Sequence, residues 1–502
     1  MKKIIVLISV LFFLSCTSDD EENVVNVITV TVSDITVEGG TITWTPPSNL
    51  QSGSSVAYKI VLFGDVIAED LIATSSYTFT GLSSNVIYTG AVFALDSFGN
   101  ETFAEFSFTT LQTEYYNGVL TISTQEEVDN FYYSWATALV IDGANITDLS
   151  GLETLEYVER FIEIKNTSIE NLNGLVNVQT DINLFGPTSP LPYLKIENNS
   201  QLQAVDGIAD FSEKSTSVRI INSPLLNSLN GIRFREEATV YLASLSITDL
   251  SPFSGYTSFE GLSIRECNAL TNLNDLTNIQ NIKGLILTDL LNVNFNDLSN
   301  VTSSITIQNC NSLSSLSELG SVNSVVLNLN SCDGLVDLNG LNSSALLNRV
   351  NITDCENLTN LSGLGNIQSL YSLGVINCDN LIDLSGLDAI QTLDELHIEE
   401  CHNLVNLNGI ENTVTGLLQV NRIKIKNNSS LTSLNGFNST NTGDNIYISI
   451  INNPNLTSFC GIRSWAESNT IYFGGLGDDN YEVISNAYNP TVDQLRSDEC
   501  SQ

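Results

Sequence analysis

Residues 375–387 read VINCDNLIDLSGL, and the chain returns to that phrase repeatedly, as ITDCENLTNLSGL at 352–364 and IEECHNLVNLNGI at 398–410. Aligned on the cysteine, the unit is L-x-x-L-x-I-x-x-C-x-x-L-x-x-L-x-G-L. Its cleanest copy is Leu393, Leu396, Ile398, Cys401, Leu404, Leu407, Gly409 and Ile410. Cys332, Cys355, Cys378 and Cys401 follow one another at intervals of 23 residues. The same position is held elsewhere by Asn199, Ser223, Cys267, Cys310, Asn428 and Asn453. About fourteen units fit between residues 138 and 462, so the spacing is that of a stacked repeat array.

The L-x-I alternation describes a short strand with one buried face. Asn-Gly and Ser-Gly pairs then turn the chain. One such coil cannot bury its own apolar edge. Neighbours stacked about 4.8 Å apart bury a continuous column, with roughly 1.5–3 kcal/mol per Leu or Ile as the main stabilising contribution. These residues resemble the leucine-rich repeat family, in the variant with Cys or Asn after a short L-x-I strand, and the longer loops resemble receptor L-domains. The resemblance covers 138–462. It implies a right-handed solenoid of short parallel strands with few helices, on a scaffold that serves many binding functions.

Three explanations compete for the recurrent cysteine. A metal needs converging ligands, whereas these form a straight file. Disulfides between parallel neighbours need a closer Cβ approach than the strand spacing allows, and Cys310, Cys332, Cys355, Cys378 and Cys401 are odd in number. The expectation is a ladder of buried free thiols packed as small apolar groups. Cys460 is out of phase, in NLTSFCGI, and only Cys500 follows it, so a disulfide between these two is expected to close the end of the array.

Ahead of the array, 27–110 carries strand-like alternation in ITVTVSDITV, TITWTPP, AYKIVLF, SYTFTGL, YTGAVFALD and TFAEFSFTT. Trp44 is placed as a core tryptophan. Leu82 and Tyr88 are spaced as in the tyrosine corner of fibronectin type III domains, which the segment resembles, and that implies a β-sandwich acting as a spacer. Residues 111–137 read as an N-terminal cap, with a capping box at Ser123 and Glu126 starting a short helix. Residues 463–502 read as the C-terminal cap. The fold class is thus mainly β, a sandwich followed by a solenoid.

The chain starts with Met1-Lys2-Lys3, an apolar run from Ile4 to Leu14, and then Ser15-Cys16. The run is too short to span a bilayer. FLSC resembles a bacterial lipobox, which implies a signal peptide at 1–15 and acylation of Cys16, an anchor held by hydrocarbon burial. The acidic tether 16–26 contains Ser18, Asp19, Asp20, Glu21 and Glu22. It resembles the export signal of Bacteroidetes-type lipoproteins and implies a lipid-anchored protein on the outer face of the outer membrane.

Charge and chemistry narrow the function. With 57 acids against 18 bases, the net charge of −39 argues against nucleic acid and for a chain kept soluble by its acidity. No nucleophile elbow, zinc motif, phosphate loop or calcium loop occurs. The only histidines, His397 and His402, flank Glu399, Glu400 and Cys401, but alternation points these groups in different directions. The expectation is therefore a monomer without cofactor or catalytic activity, which binds a protein or polysaccharide, or else serves as a structural surface component, with an enzyme whose site is unrecognised as the outside alternative.

The candidate binding face consists of the two residues flanking the Ile of each L-x-I. From residue 112 onward the chain has 15 bases and 45 acids. The 28 face positions hold six of those bases (Lys165, Lys195, Arg219, Arg265, Lys424 and Lys426) and only four acids (Asp142, Glu163, Glu197 and Glu399). Thr306, Gln308, Asn328, Asn330, Asn351 and Thr353 form an amide- and hydroxyl-rich middle. Lys165 and Lys195 should neighbour Glu197 and Glu163 as ordinary cross-strand compensation. Arg219, Arg265, Lys424 and Lys426 have no such partner in the alignment and are the candidate ligand-binding bases.

Overall fold

In the computed structural model the described residues are 28–502 without 37–38, 48–55, 73, 84, 98–100, 111–113, 181–190, 296–297, 320, 323–324, 344–346, 412–420, 438–445 and 469–480. The signal peptide, Cys16 and Ser18 to Glu22 lie outside them. The chain divides into two compact units, 1–116 with 132–135, and 117–131 with 136–502. The division runs through two strands, Glu114–Ile122 and Tyr133–Asp142, rather than between 110 and 111.

The first unit holds two antiparallel sheets. One comprises Val30–Ser33, Gly40–Trp44 and Ser76–Phe79. The other is ordered Asp65–Ile72, Val56–Leu62, Ile87–Asp96, Glu101–Thr109. Their alternating apolar faces meet in a core of Ile42, Trp44, Tyr58, Ile60, Val92, Phe106 and Phe108, a sandwich-like arrangement. The Tyr88 hydroxyl accepts a hydrogen bond from the Ser83 N–H at 2.8 Å, which pins the connection before its strand.

The second unit is built on a 16-stranded sheet that runs in chain order, the signature of a solenoid. The strand pairs are parallel and in register on the apolar positions. Ile352 faces Val375, Val375 faces Ile398, Ile398 faces Ile425, and Ile425 faces Ile450. These side chains are at most 1 % exposed, as are Leu404 and Leu407 on the return path. Short 3-10 turns such as Ser150–Leu152 and Asn173–Leu175 lie on that return. The repeat glycine is demanded by the coil before it. A Cβ on Gly409, at φ 115°, would lie 2.1 Å from the Leu384 carbonyl oxygen.

What ends each strand was not read from the sequence. The residue before each ladder position adopts left-handed backbone: Asn309, Ser331, Asp354, Asn377, Glu400 and Asn427 have φ between 51° and 60°. Among the described residues of the array nine of the fourteen such residues are Asn or Asp, the types that tolerate this region best. The bend turns the N–H of Asn377 to the Glu399 carbonyl and that of Asn427 to the Ile451 carbonyl, both on the following strand. The helix in the N-terminal cap is Gln125–Asp129. Its capping box uses Thr124 and Glu127 instead of Ser123 and Glu126, because only Glu127 reaches the N–H groups of both Ser123 and Thr124, at 2.6 and 3.1 Å.

Both expected caps contain more of the array than expected. Glu114–Ile122 is the edge strand at one end of the large sheet. At the other end Tyr481–Ile484 pairs parallel with Ile446–Ile451, and Asn486 occupies one more ladder position. That last coil was hidden because Tyr481 replaces the usual leucine and no repeat glycine follows. Cys460 and Cys500 form a disulfide, and a helix, Val492–Arg496, lies just before the second of them. No helix among the described residues is long and apolar enough to cross a membrane.

Candidate functional site

The ladder explains the cysteines and separates them from any site. Cys267, Cys310, Cys332, Cys355, Cys378 and Cys401 are free thiols, each 0 % exposed. Cys310, Cys332, Cys355 and Cys401 reach the carbonyl on the preceding strand that an asparagine reaches from the same position. Asn428 accepts from the Cys401 N–H at 2.9 Å and donates to the Ile398 carbonyl. The Cys401 thiol takes the Cys378 N–H and lies 3.7 Å from the Val375 carbonyl. Burial pushes the Cys267 thiol up to about 11 and the Cys401 thiol up to about 12. They are inert packing groups that satisfy backbone.

The outer face of the sheet carries three columns, one more than the sequence reading counted, because the strands begin before the first leucine. The added column passes through Phe161, Tyr193, Ser217, then on to Arg349, Ser372, Glu395 and Arg422. Phe161 and Tyr193 stack at 4.9 Å, so this column adds aromatic surface to the face. The Tyr193 hydroxyl donates to Glu163 at 2.9 Å, and burial with that carboxylate pushes it up to about 12.

A depression lies on this face around Gly374. Gly374 leaves the middle column without a side chain between Asn351 and His397, and Ser372 is short beside it. The result is a depression of about 160 Å³. Its rim on one side is Asn351 and Thr353; on the other it is Glu395, His397, Arg422 and Lys424. Asn351 is held by a chain of bonds along the column: its amide nitrogen donates to Asn328 Oδ1 at 2.8 Å, and the Asn328 amide donates to Thr306 Oγ1 at 3.0 Å. This leaves Asn351 Oδ1 over Gly374, where an added Cβ would sit 3.0 Å from it. His397 Nε2 is 2.7 Å from Glu399 Oε2, which orients the ring on the rim.

The structure sorts the expected binding residues. Asn351, Thr353 and Lys424 meet at the depression, and Asn328 and Thr306 act on it through the bond chain. Gln308 and Asn330 lie in the column of Thr353, where Asn330 also accepts from the Ser331 hydroxyl. Lys426 faces Glu399 across adjacent strands. Arg422, Lys424 and Lys426 form no ion pair among the described residues. Arg219 and Arg265 are on distant strands and are already engaged: Arg219 lies 5.0 Å over the Tyr241 ring, and Arg265 pairs with Glu266 at 3.0 Å and Asp289 at 3.4 Å. Arg265 was expected to be unpaired; the partners come from the left-handed turn, a position outside the face alignment. The expected neighbours Glu163 with Lys195 and Lys165 with Glu197 are in register, although Lys195 bonds Glu197 on its own strand and Lys165 lies closest to Asp142.

Sequence reasoning missed Gly374, Ser372, Glu395 and Arg422, and set His397 aside. The signal available was a glycine at a face position of SLYSLGVI, where alternation calls for a side chain. His402 is off the face, bonded to Asp379 at 2.8 Å. Among the described residues no cluster of His, Cys, Asp or Glu could hold a metal ion.

No protein-family model matches the chain, and no curated protein matches it. Among solved structures it is similar to a family 28 exopolygalacturonase of Yersinia enterocolitica, at 10 % identity and a TM-score of 0.16, over 86 % of this chain and 92 % of that one. The expectation of a chain without catalytic activity is withdrawn in the face of that match, since the protein found is an enzyme. At this TM-score the likeness carries no argument about fold or activity and assigns no catalytic residue.

Proposed function

We propose that the chain is a leucine-rich repeat surface lipoprotein, anchored through Cys16 on the exterior of a bacterial outer membrane behind a fibronectin type III-like spacer, whose sheet face recognises a protein or glycan. The observation that carries the binding role is the local reversal of charge. On a chain of net −39, Arg422, Lys424 and Lys426 stand together beside a concavity with no ion pair among the described residues. Arg422 and Lys426 stand in register with Glu395 and Glu399, so three bases meet two acids there, and bases on a rigid sheet that close no ion pair among the described residues attract and orient an incoming group. Amides and hydroxyls on the facing strands supply the directional contacts.

The test is a screen of the ectodomain from residue 27 against host proteins and polysaccharides, followed by Lys424→Glu with Lys426→Glu on any ligand found. Loss of binding with an unchanged melting temperature is expected. Full affinity in the double variant, with loss instead on changing loops of the N-terminal unit, would move the site off the solenoid. For the anchor, Cys16→Ala should release the protein from membranes; continued membrane partition would refute it.

A further inference from the structure

We infer that the depression at Gly374 seats the acidic end of a saccharide, one carboxylate-bearing sugar unit, with the remainder of the glycan lying along the sheet face. This deepens the reading that the face is a ligand surface and rests on it. Three observations converge. The first is size: about 160 Å³ is small beside the roughly 300–1,000 Å³ of sites that enclose a drug-sized ligand, so the depression takes one ring or end group and not a whole ligand.

The second observation is the division of the rim. Asn351 has its amide nitrogen committed to Asn328, so what it offers over Gly374 is the Oδ1 acceptor. An acceptor in that place calls for a hydroxyl donor. Thr353 and Ser372 beside it are neutral and can donate or accept. Across the depression Lys424 and Arg422 are cations with no ion pair among the described residues, Arg422 in register with Glu395 and Ile376 supplying an apolar wall, and Lys424, opposite His397, calls for an anion. A bare inorganic anion would face both the Asn351 acceptor and the Glu395 carboxylate. A neutral sugar would leave the two cations unused. A sugar acid presents both kinds of group within one ring.

The third observation is how the site is kept open. Gly374 is the one residue of its column, from Thr306 to Lys424, that projects no side chain. Its backbone has no need of glycine's freedom, since its φ is not in the left-handed region and only the Asn351 amide oxygen would be pressed by a Cβ. The glycine therefore serves the space above it and not the turn of the chain.

The experiment is calorimetric titration of the ectodomain with a tetrasaccharide ending in glucuronate, and with the same saccharide after reduction of that carboxylate to the alcohol. Inorganic phosphate and an acidic peptide are run as further ligands. The reduced saccharide should bind about tenfold more weakly or worse, the loss expected for a charge-assisted contact. Gly374→Val, which fills the depression, and Lys424→Met should each remove a similar factor without changing the melting temperature. Equal affinity for both saccharides, wild-type affinity in Gly374→Val, tighter binding of phosphate or peptide, or no binding of the glucuronate saccharide at millimolar concentration would each overturn the inference. If a different ligand from the screen is then lost in the Lys424→Glu, Lys426→Glu variant, the face remains a binding surface and only the sugar-acid assignment falls. If that ligand survives the double variant, the broader reading falls as well.

Discussion

Asn428→Ala tests whether the ladder stabilises the array by satisfying backbone or merely by filling space. Asn428 is 0 % exposed. Its Oδ1 accepts the Cys401 N–H at 2.9 Å, and its Nδ2 approaches the Ile398 carbonyl at 3.4 Å and Asn453 Oδ1 at 3.1 Å. Alanine leaves the Cys401 N–H buried without a partner, at a cost of about 1–3 kcal/mol, and loses both Nδ2 bonds, of which the one to Ile398 is long, together worth about 0.5–1.5 kcal/mol net. Asn453 Oδ1 keeps the Asn428 N–H, so the damage stays local. The expected loss is about 2–4 kcal/mol. Asn428→Cys should cost about 1 kcal/mol or less, because a thiol there can repeat the contacts that the Cys401 thiol makes with the Cys378 N–H and the Val375 carbonyl. Equilibrium urea unfolding followed by circular dichroism reads both variants. An alanine variant as stable as wild type, or a cysteine variant as weak as the alanine, would refute the account of the ladder.

Two further outcomes follow from buried groups. The six ladder thiols of the non-reduced ectodomain should ignore a disulfide reagent at pH 8 and all react in denaturant, since burial holds the Cys267 thiol at about 11 and the Cys401 thiol at about 12; thiols still blocked in denaturant would mean covalent or metal bonds. Asp394 is 8 % exposed, its Oδ1 has no hydrogen-bond partner among the described residues, and burial with the nearby Glu395 raises its carboxyl above the usual range. A raised carboxyl disfavours the fold once ionised, and this penalty vanishes as the pH falls through the folded value. Asp394→Asn should therefore be more stable than wild type at pH 7, by about 1 kcal/mol, with the gap closing toward pH 4; a gap constant with pH would show that the charge is not the cause.

The array was legible because its signal is repeated. A single L-x-I is ambiguous, but its recurrence with Asn428 or Cys401 at one phase admits little besides stacked coils. The disulfide was legible because Cys460 falls out of that phase. Irregular copies were hard to read: the coil at Tyr481–Ile484 lacks the leucine and the glycine, and the adjacent acids Glu126 and Glu127 let the capping-box pattern fit either Ser123 or Thr124. The depression was illegible for a different reason. It is made by a missing side chain at Gly374 and by residues such as Arg422 that become neighbours only through register between strands 23 or more residues apart. Arg265 was misjudged likewise, since Asp289 reaches it from a turn and not from the face.

The chain's acidity takes on another meaning once the turns are seen. In coil after coil the residue before the return leucine caps the N–H two positions on. Asp148 does so for Ser150, Asp249 for Ser251, Asp337 for Asn339 and Asp383 for Ser385. Asn171, Asn272, Asn360 and Asn406 do the same for other coils, and so do Ser228 and Ser433. Asp, Asn and Ser are interchangeable there because each offers an oxygen at the right reach. The Ser150 contacts hold the Asp148 carboxyl below the usual carboxylate range, and the Ser251 contacts do so for Asp249. These acids serve the backbone, and part of the net −39 follows from how the turns are closed. The bases have no such employment on the face: no repeat position asks for a cation, and asparagine or threonine fills the columns of Lys424 and Lys426 three strands away, at Asn351 and Thr353. A charge that the fold requires is uninformative about ligands, whereas Arg422, Lys424 and Lys426 are charges the fold does not require. That contrast, and not the overall sign of the chain, marks this stretch of the sheet as the surface to test first.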